Sequence, residues 1–120
     1  MRITASIAAL ILGLAWTGVA LAHAMPDHSS PPADATLSTA PTQVKVWFNG
    51  QIEPVFSTLI VKNAAGKQVS VDKGSVDSDN HTLLETSLPA ALPAGRYKVY
   101  WSVVAHDGHH SAGDFAFTVK

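Results

Sequence analysis

From Arg96 to Val119 the chain alternates apolar and polar residues with a period of two. Tyr97, Val99, Trp101, Val103 and Ala105 share one face. Phe115, Phe117 and Val119 repeat the pattern after a short polar interruption. Successive side chains in an extended strand point to opposite faces, so these are two strands with one continuous apolar side each. A hairpin of this kind needs a cover for that side. The rest of the chain shows no helical periodicity of useful length and no internal repeat, so the cover must be a second sheet. Gln43 to Phe48 alternates likewise, with Val44, Val46 and Phe48 on one face. Phe56 to Val61 and His81 to Ser87 read as further strands, and Gln68 to Val71 as a short one. Tyr100 and Val104 make the second face of Arg96–Ala105 partly apolar, which reads as a central strand. Residues 24–42 are rich in Pro, Ser and Ala and read as extended chain along a sheet edge. Residues 72–80 read as a polar surface loop. Asn49-Gly50 and residues 63–67 read as turns, and residues 88–95 as a connection that cannot be a strand interior. The expected fold is all-β: a small antiparallel Greek-key β-sandwich or barrel.

The first 22 residues belong to a different pattern. Met1-Arg2 supplies a positive start, Ile7 to Ala15 is almost wholly apolar, and Ala20 and Ala22 put small residues where a signal peptidase reads. This is a secretory signal peptide, too short and wrongly flanked for a membrane span. An uncleaved anchor helix is the alternative. Residues 23–120 then form one exported domain, with no stable membrane insertion after cleavage. Cutting after Ala22 would make His23 the new N-terminus, with a free α-amine and an imidazole on one residue.

Composition narrows the chemistry. Cysteine is absent. That excludes disulfide scaffolds, thiolate zinc sites, iron–sulfur clusters and Cys-ligated blue copper, and the leader cannot carry a lipid anchor. Of 8 Lys and Arg only Arg2 lies in the leader, so the domain is one charge more negative than the chain's −1. No basic field exists to hold nucleic acid. The 6 histidines are the conspicuous resource. His106, His109 and His110 cluster around Asp107-Gly108, a hairpin turn signal between the last two strands. Imidazole with carboxylate and no thiolate suits Cu(II), Zn(II) or Ni(II), with Cu(II) bound tightest. Polar residues populating a loop, or a pH-sensitive interaction loop, are the bland alternatives. An N-terminal His23 could chelate through amine and ring together. With a carboxylate and a second imidazole it completes the tetragonal N/O set that Cu(II) prefers. That requires the start of the domain to lie beside the last hairpin, which periodicity does not reveal.

Several segments taken in order are similar to one known family. They begin with His23-Ala24 after the cleavage signal and continue in residues 30–37. Phe48-Asn49, residues 52–57 and residues 63–67 follow. The match is densest in residues 92–104 and closes with Asp107-Gly108-His109, Gly113, Phe115 and Phe117. The chain resembles the periplasmic copper-resistance protein C family, the CopC/YobA-like proteins. The resemblance implies the periplasm as the domain's destination and a cupredoxin-like or immunoglobulin-like sandwich binding one Cu(II) ion tightly. It also implies His23 (amine and ring), Asp107 and His109 as ligands, and a CopD-type inner-membrane copper transporter as partner. The chain ends at Lys120, directly after the last strand, so no fusion to that partner is expected. Some relatives hold Cu(I) with a Met-rich loop; here Met25 is the one methionine after the leader.

Three functional readings follow. The favoured one is a monomeric, non-enzymatic carrier or buffer of Cu(II) in copper homeostasis and resistance. A second is a copper enzyme with a histidine brace like that of polysaccharide monooxygenases. Against it, the chain is short, the loops for a flat substrate platform are missing, and an anionic Asp107 ligand opposes redox cycling. The third is a metal-free sandwich that binds a protein or cell-wall partner. His28, His106 and His110 read as spare imidazoles near the presumed site, and His81 has no assigned role.

Overall fold

The computed structural model of the chain describes residues 24–120. The leader, its cleavage point and His23 lie outside the described residues. The strands are β1 (Pro26–Ser30), β2 (Thr36–Leu37), β3 (Gln43–Phe48), β4 (Thr58–Lys62), β5 (Ser75–Asp77), β6 (Asn80–Ser87), β7 (Gly95–Val104) and β8 (His110–Val119). They form two four-stranded sheets, ordered β1-β3-β6-β5 and β2-β8-β7-β4. The expected all-β sandwich is what the chain forms. No helix among the described residues is long and apolar enough to cross a membrane.

The period-two faces become the core. Val44 and Val46 of β3 and Leu84 of β6 meet Leu59, Val61, Val99, Val103 and Phe117 from the other sheet, all at 0% exposure. Each such side chain contributes about 1.5–3 kcal/mol on leaving water, so the two inner faces are the main reason the sheets stay together. The Trp101 indole is buried edge-on to Phe48, with ring centroids 5.4 Å apart. The Tyr97 hydroxyl donates to the Pro93 carbonyl at 2.6 Å, which pins the connection into β7. As expected, β7 is central and residues 26–30 run along an edge.

Four details differ from the sequence reading. β4 starts at Thr58 rather than Phe56, because Pro54–Phe56 forms a 3-10 turn with Pro at its start. Pro lacks the amide a ladder needs, and the Ser57 hydroxyl closes the turn by donating to the Glu53 carbonyl at 2.8 Å. Residues 68–71 form no strand; they touch the β4 edge through a Lys62–Gln68 bridge and a Val69 amide donating to the Val61 carbonyl. The 72–80 loop contains β5, which pairs with β6. β2 pairs with β8 in parallel over two residues, so that sheet is mixed rather than purely antiparallel.

Candidate metal centre

The longest ladder in the fold builds the site. β7 and β8 stay in register through ten consecutive pairs, from Gly95–Val119 to Val104–His110. Beyond the last pair the chain turns in five residues. The Gly108 amide donates to the Ala105 carbonyl at 2.8 Å, and the Ala105 amide donates to the His109 carbonyl at 2.8 Å. Gly108 sits at φ +94°, a conformation that residues with a Cβ rarely adopt. The Asp107 carboxylate folds back, with Oδ1 accepting from the His109 amide at 3.1 Å. Its Oδ2 lies 3.0 Å from His109 Nδ1. His110, expected in the loop, is the first residue of β8.

A carboxylate and an imidazole thus share one half-exposed turn on a rigid hairpin. The donor set suits a borderline cation. The two side chains contact each other directly as an ion pair at 3.0 Å, a contact that coordination of a cation by both would replace. Among the described residues no three His, Asp or Glu side chains gather to complete a cation site. Asp107 and His109 are the described part of the predicted set, and His23 is the part outside it.

The turn and the start of the described chain meet at one segment. Ala24 is 2% exposed and belongs to the same core cluster as Ile52 and Ala105. The Met25 amide donates to Asn49 Oδ1 at 2.9 Å, and the Asn49 amide donates back to the Met25 carbonyl. Two residues on, the Gln51 carbonyl accepts from the His106 amide at 3.0 Å, and Ile52 bridges to Ala105. Ala24 therefore stands at the end of the sandwich that carries Asp107 and His109.

Three of the remaining imidazoles have partners of their own. His106 Nδ1 lies 3.2 Å from Glu53 Oε2. His110 Nε2 is 2.8 Å from the Ser102 hydroxyl. His28 stacks on Trp47 across β1 and β3, with centroids 4.4 Å apart and planes 9° from parallel, and its Nδ1 lies 3.1 Å from Asp27 Oδ2. His81, the second residue of β6, has an exposed side chain, and its carbonyl accepts from the Ile52 amide. Sequence reasoning missed three of these groups. Asn49 carried a signal, since it was read as a turn residue. Glu53 and Trp47 carried none, because their partners come from distant strands.

The fold agrees with comparison to known proteins. A family model described as the CopC domain matches residues 27–120. The chain belongs to the CopC family. The copper transport protein CutJ of Bacillus subtilis is 36% identical over 98 residues, covering 82% of this chain. The chain spans only 18% of CutJ. The crystal structure of CopC from Methylosinus trichosporium OB3b superposes with a TM-score of 0.76 at 32% identity, covering 82% of this chain and 94% of that one. PcoC of Escherichia coli, described as a methionine-rich copper resistance protein, superposes with a TM-score of 0.73 at 27% identity, covering 82% of this chain and all of that one. This chain has 2 methionines, and Met25 is half-exposed beside Asn49.

Proposed function

We propose that the protein is a periplasmic Cu(II) carrier in copper resistance and homeostasis. Residues 1–22 direct export and are removed after Ala22. The new terminus supplies the His23 amine and ring, and Asp107 and His109 complete a site for one Cu(II) ion. The ion is cargo rather than a catalytic group. An anionic ligand such as Asp107 stabilises the divalent state, which favours holding the metal over cycling it. Delivery to a CopD-type membrane transporter is the matching downstream step, with the carrier acting as a monomer.

The observation that supports this reading is the meeting of the Met25–Asn49 and His106–Gln51 contacts at one short segment. It brings Ala24, the residue after His23, to the end of the sandwich where Asp107 and His109 lie 3.0 Å apart. Membership of the CopC family supports the choice of metal. Nitrogen-rich N/O sites without thioethers also favour Cu(II) over Cu(I), and over Zn(II) and Ni(II) in affinity.

The test is mass spectrometry and copper titration of exported protein. The expected result is a chain beginning at His23 with one tightly held Cu(II), whose electron-spin spectrum shows nitrogen ligands. A version carrying one extra residue before His23 should bind far more weakly. Equal affinity with the terminus blocked would refute the role of the amine.

A further inference from the structure

We propose that the outer face of the β4–β7–β8 sheet is a docking surface for an acidic segment of a partner protein. On this face Ile60 of β4, Tyr100 and Ser102 of β7, and Ala112 of β8 stand out of phase with the buried Leu59, Val61, Val99 and Val103. They line a groove of about 500 Å³. At one end of it Lys62 and Lys98 face each other directly across the β4–β7 ladder. Like charges directly opposite one another destabilise a sheet, so this pair costs the fold something it does not need for packing.

Both ammonium groups lie over the same ring. Lys62 Nζ is 5.3 Å and Lys98 Nζ 5.9 Å from the centroid of Tyr100, which is itself 38% exposed. Arg96 is exposed two residues before Lys98 and adds a third cation to the same edge. The nearby carboxylate on this face is Asp114, 3.9 Å from Lys98 Nζ. The patch is therefore cationic on a chain whose net charge is −1. An incoming carboxylate would neutralise the opposed lysines, and an apolar side chain beside it would cover Ile60 and Ala112.

The layout of charge and apolar surface along the groove favours a protein segment over a lipid surface. The groove's cations are gathered at one end and its lining is mostly apolar beyond them, which suits an extended chain carrying acidic residues followed by apolar ones. Its other end is the Ser102–His110 pair, next to the turn carrying Asp107 and His109. An extended segment anchored at Lys62 and Lys98 would thus run toward that turn. The surface itself involves none of the proposed copper ligands.

The probe is a labelled peptide of three glutamates followed by leucine and phenylalanine. It is titrated at low salt into the mature protein, with amide shifts mapped by NMR on samples whose copper content is recorded. Binding at this face with and without copper supports the surface whatever becomes of the copper reading. The expected shifts fall on residues 60–62, 98–102 and 112–114. Lys62→Gln with Lys98→Gln should weaken binding about tenfold, since two exposed charge contacts are lost. Asp114→Asn should strengthen binding by removing the competing carboxylate. The double lysine variant should be no less stable to denaturant than the parent, which shows that the loss is not unfolding. No shifts at millimolar peptide, shifts elsewhere, equal binding of a lysine-for-glutamate peptide, or equal binding of phosphatidylglycerol vesicles to this face would each overturn the proposal.

Discussion

Gly108 offers a clean test of whether the turn's backbone brings Asp107 and His109 together. Its φ of +94° is disfavoured for any residue with a side chain. A Cβ built there meets nothing within 4 Å, so substitution introduces conformational strain and no clash. Left-handed backbone costs an ordinary residue about 1–2 kcal/mol. Against this, replacing Gly by Ala restricts the unfolded chain and returns about 0.4–1 kcal/mol. Two outcomes are then possible for Gly108→Ala. If the turn keeps its shape, the strain appears as lost stability of roughly 1 kcal/mol, or about 4–8 °C in Tm for a domain of this size. If the turn relaxes, stability is spared and the metal must restore the shape, so Cu(II) affinity falls by up to about tenfold per 1.4 kcal/mol. Either way the strain must appear in one measurement or be shared between both. Gly108→Asn should cost less, because Asn tolerates positive φ, and Gly108→Val should cost most. The assay is urea denaturation with and without copper, paired with a competitive Cu(II) titration. A Val variant with unchanged stability and unchanged affinity would refute the claim that this turn needs its glycine.

Other expected outcomes follow from the same geometry. His109→Ala should weaken Cu(II) binding more than Asp107→Ala, with both folds intact by circular dichroism. His28→Ala, His106→Ala and His110→Ala should each cost no more than about 10–100-fold in the same titration. Gly113→Ala puts a Cβ 2.6 Å from Cζ2 of the buried Trp101 indole, directly across the β7–β8 ladder. It should cost about 1–3 kcal/mol in urea denaturation and change the near-ultraviolet signal of the indole. Ala24→Leu overfills a core position and should weaken Cu(II) binding, leaving the Asp107–His109 turn unshifted by NMR. Acidification should release copper, because protons compete for the ring and amine nitrogens.

The legible parts of this fold are those whose own residues carry the pattern. Val44, Val46 and Phe48 announce an inner face, as do Tyr97, Val99, Trp101 and Val103, because each strand has one dry side. β5 carries no such pattern: Ser75-Val76-Asp77 offers one apolar residue, and its pairing is supplied by β6. The two-residue β2 is defined by its parallel contact with β8 rather than by anything within Thr36-Leu37. The misplaced start of β4 was legible in principle, since Pro54 could not have joined a ladder. At the site, spacing marked out the loop of His106, Asp107, His109 and His110, the family resemblance singled out Asp107 and His109 within it, and the structure brings those two side chains together. The pairing of His106 with Glu53 was not legible, because the two are 53 residues apart and meet only when β4 and β7 are side by side.

The division of labour within the sandwich follows from where each contact lies. Asp107 and His109 keep half their side-chain surface in water, so the turn contributes little to the buried core and is open to ligand exchange. Its position is nonetheless tightly held, because ten ladder pairs beneath it leave the hairpin little freedom. Ala24 reverses that arrangement. It is small, buried and held by the core itself, with Met25 locked to Asn49 on both its amide and its carbonyl. One side of the proposed site is thus positioned by a ladder and the other by packing, and the segment from Asn49 to Ile52 joins the two. A change in that segment would disturb the relation between the two halves without touching any of the proposed ligands. On the proposed ligand set, the expected outcome is that changes at Asn49 or Gln51, which hold Met25 and the His106 amide, weaken Cu(II) binding in a competitive titration although neither is a ligand.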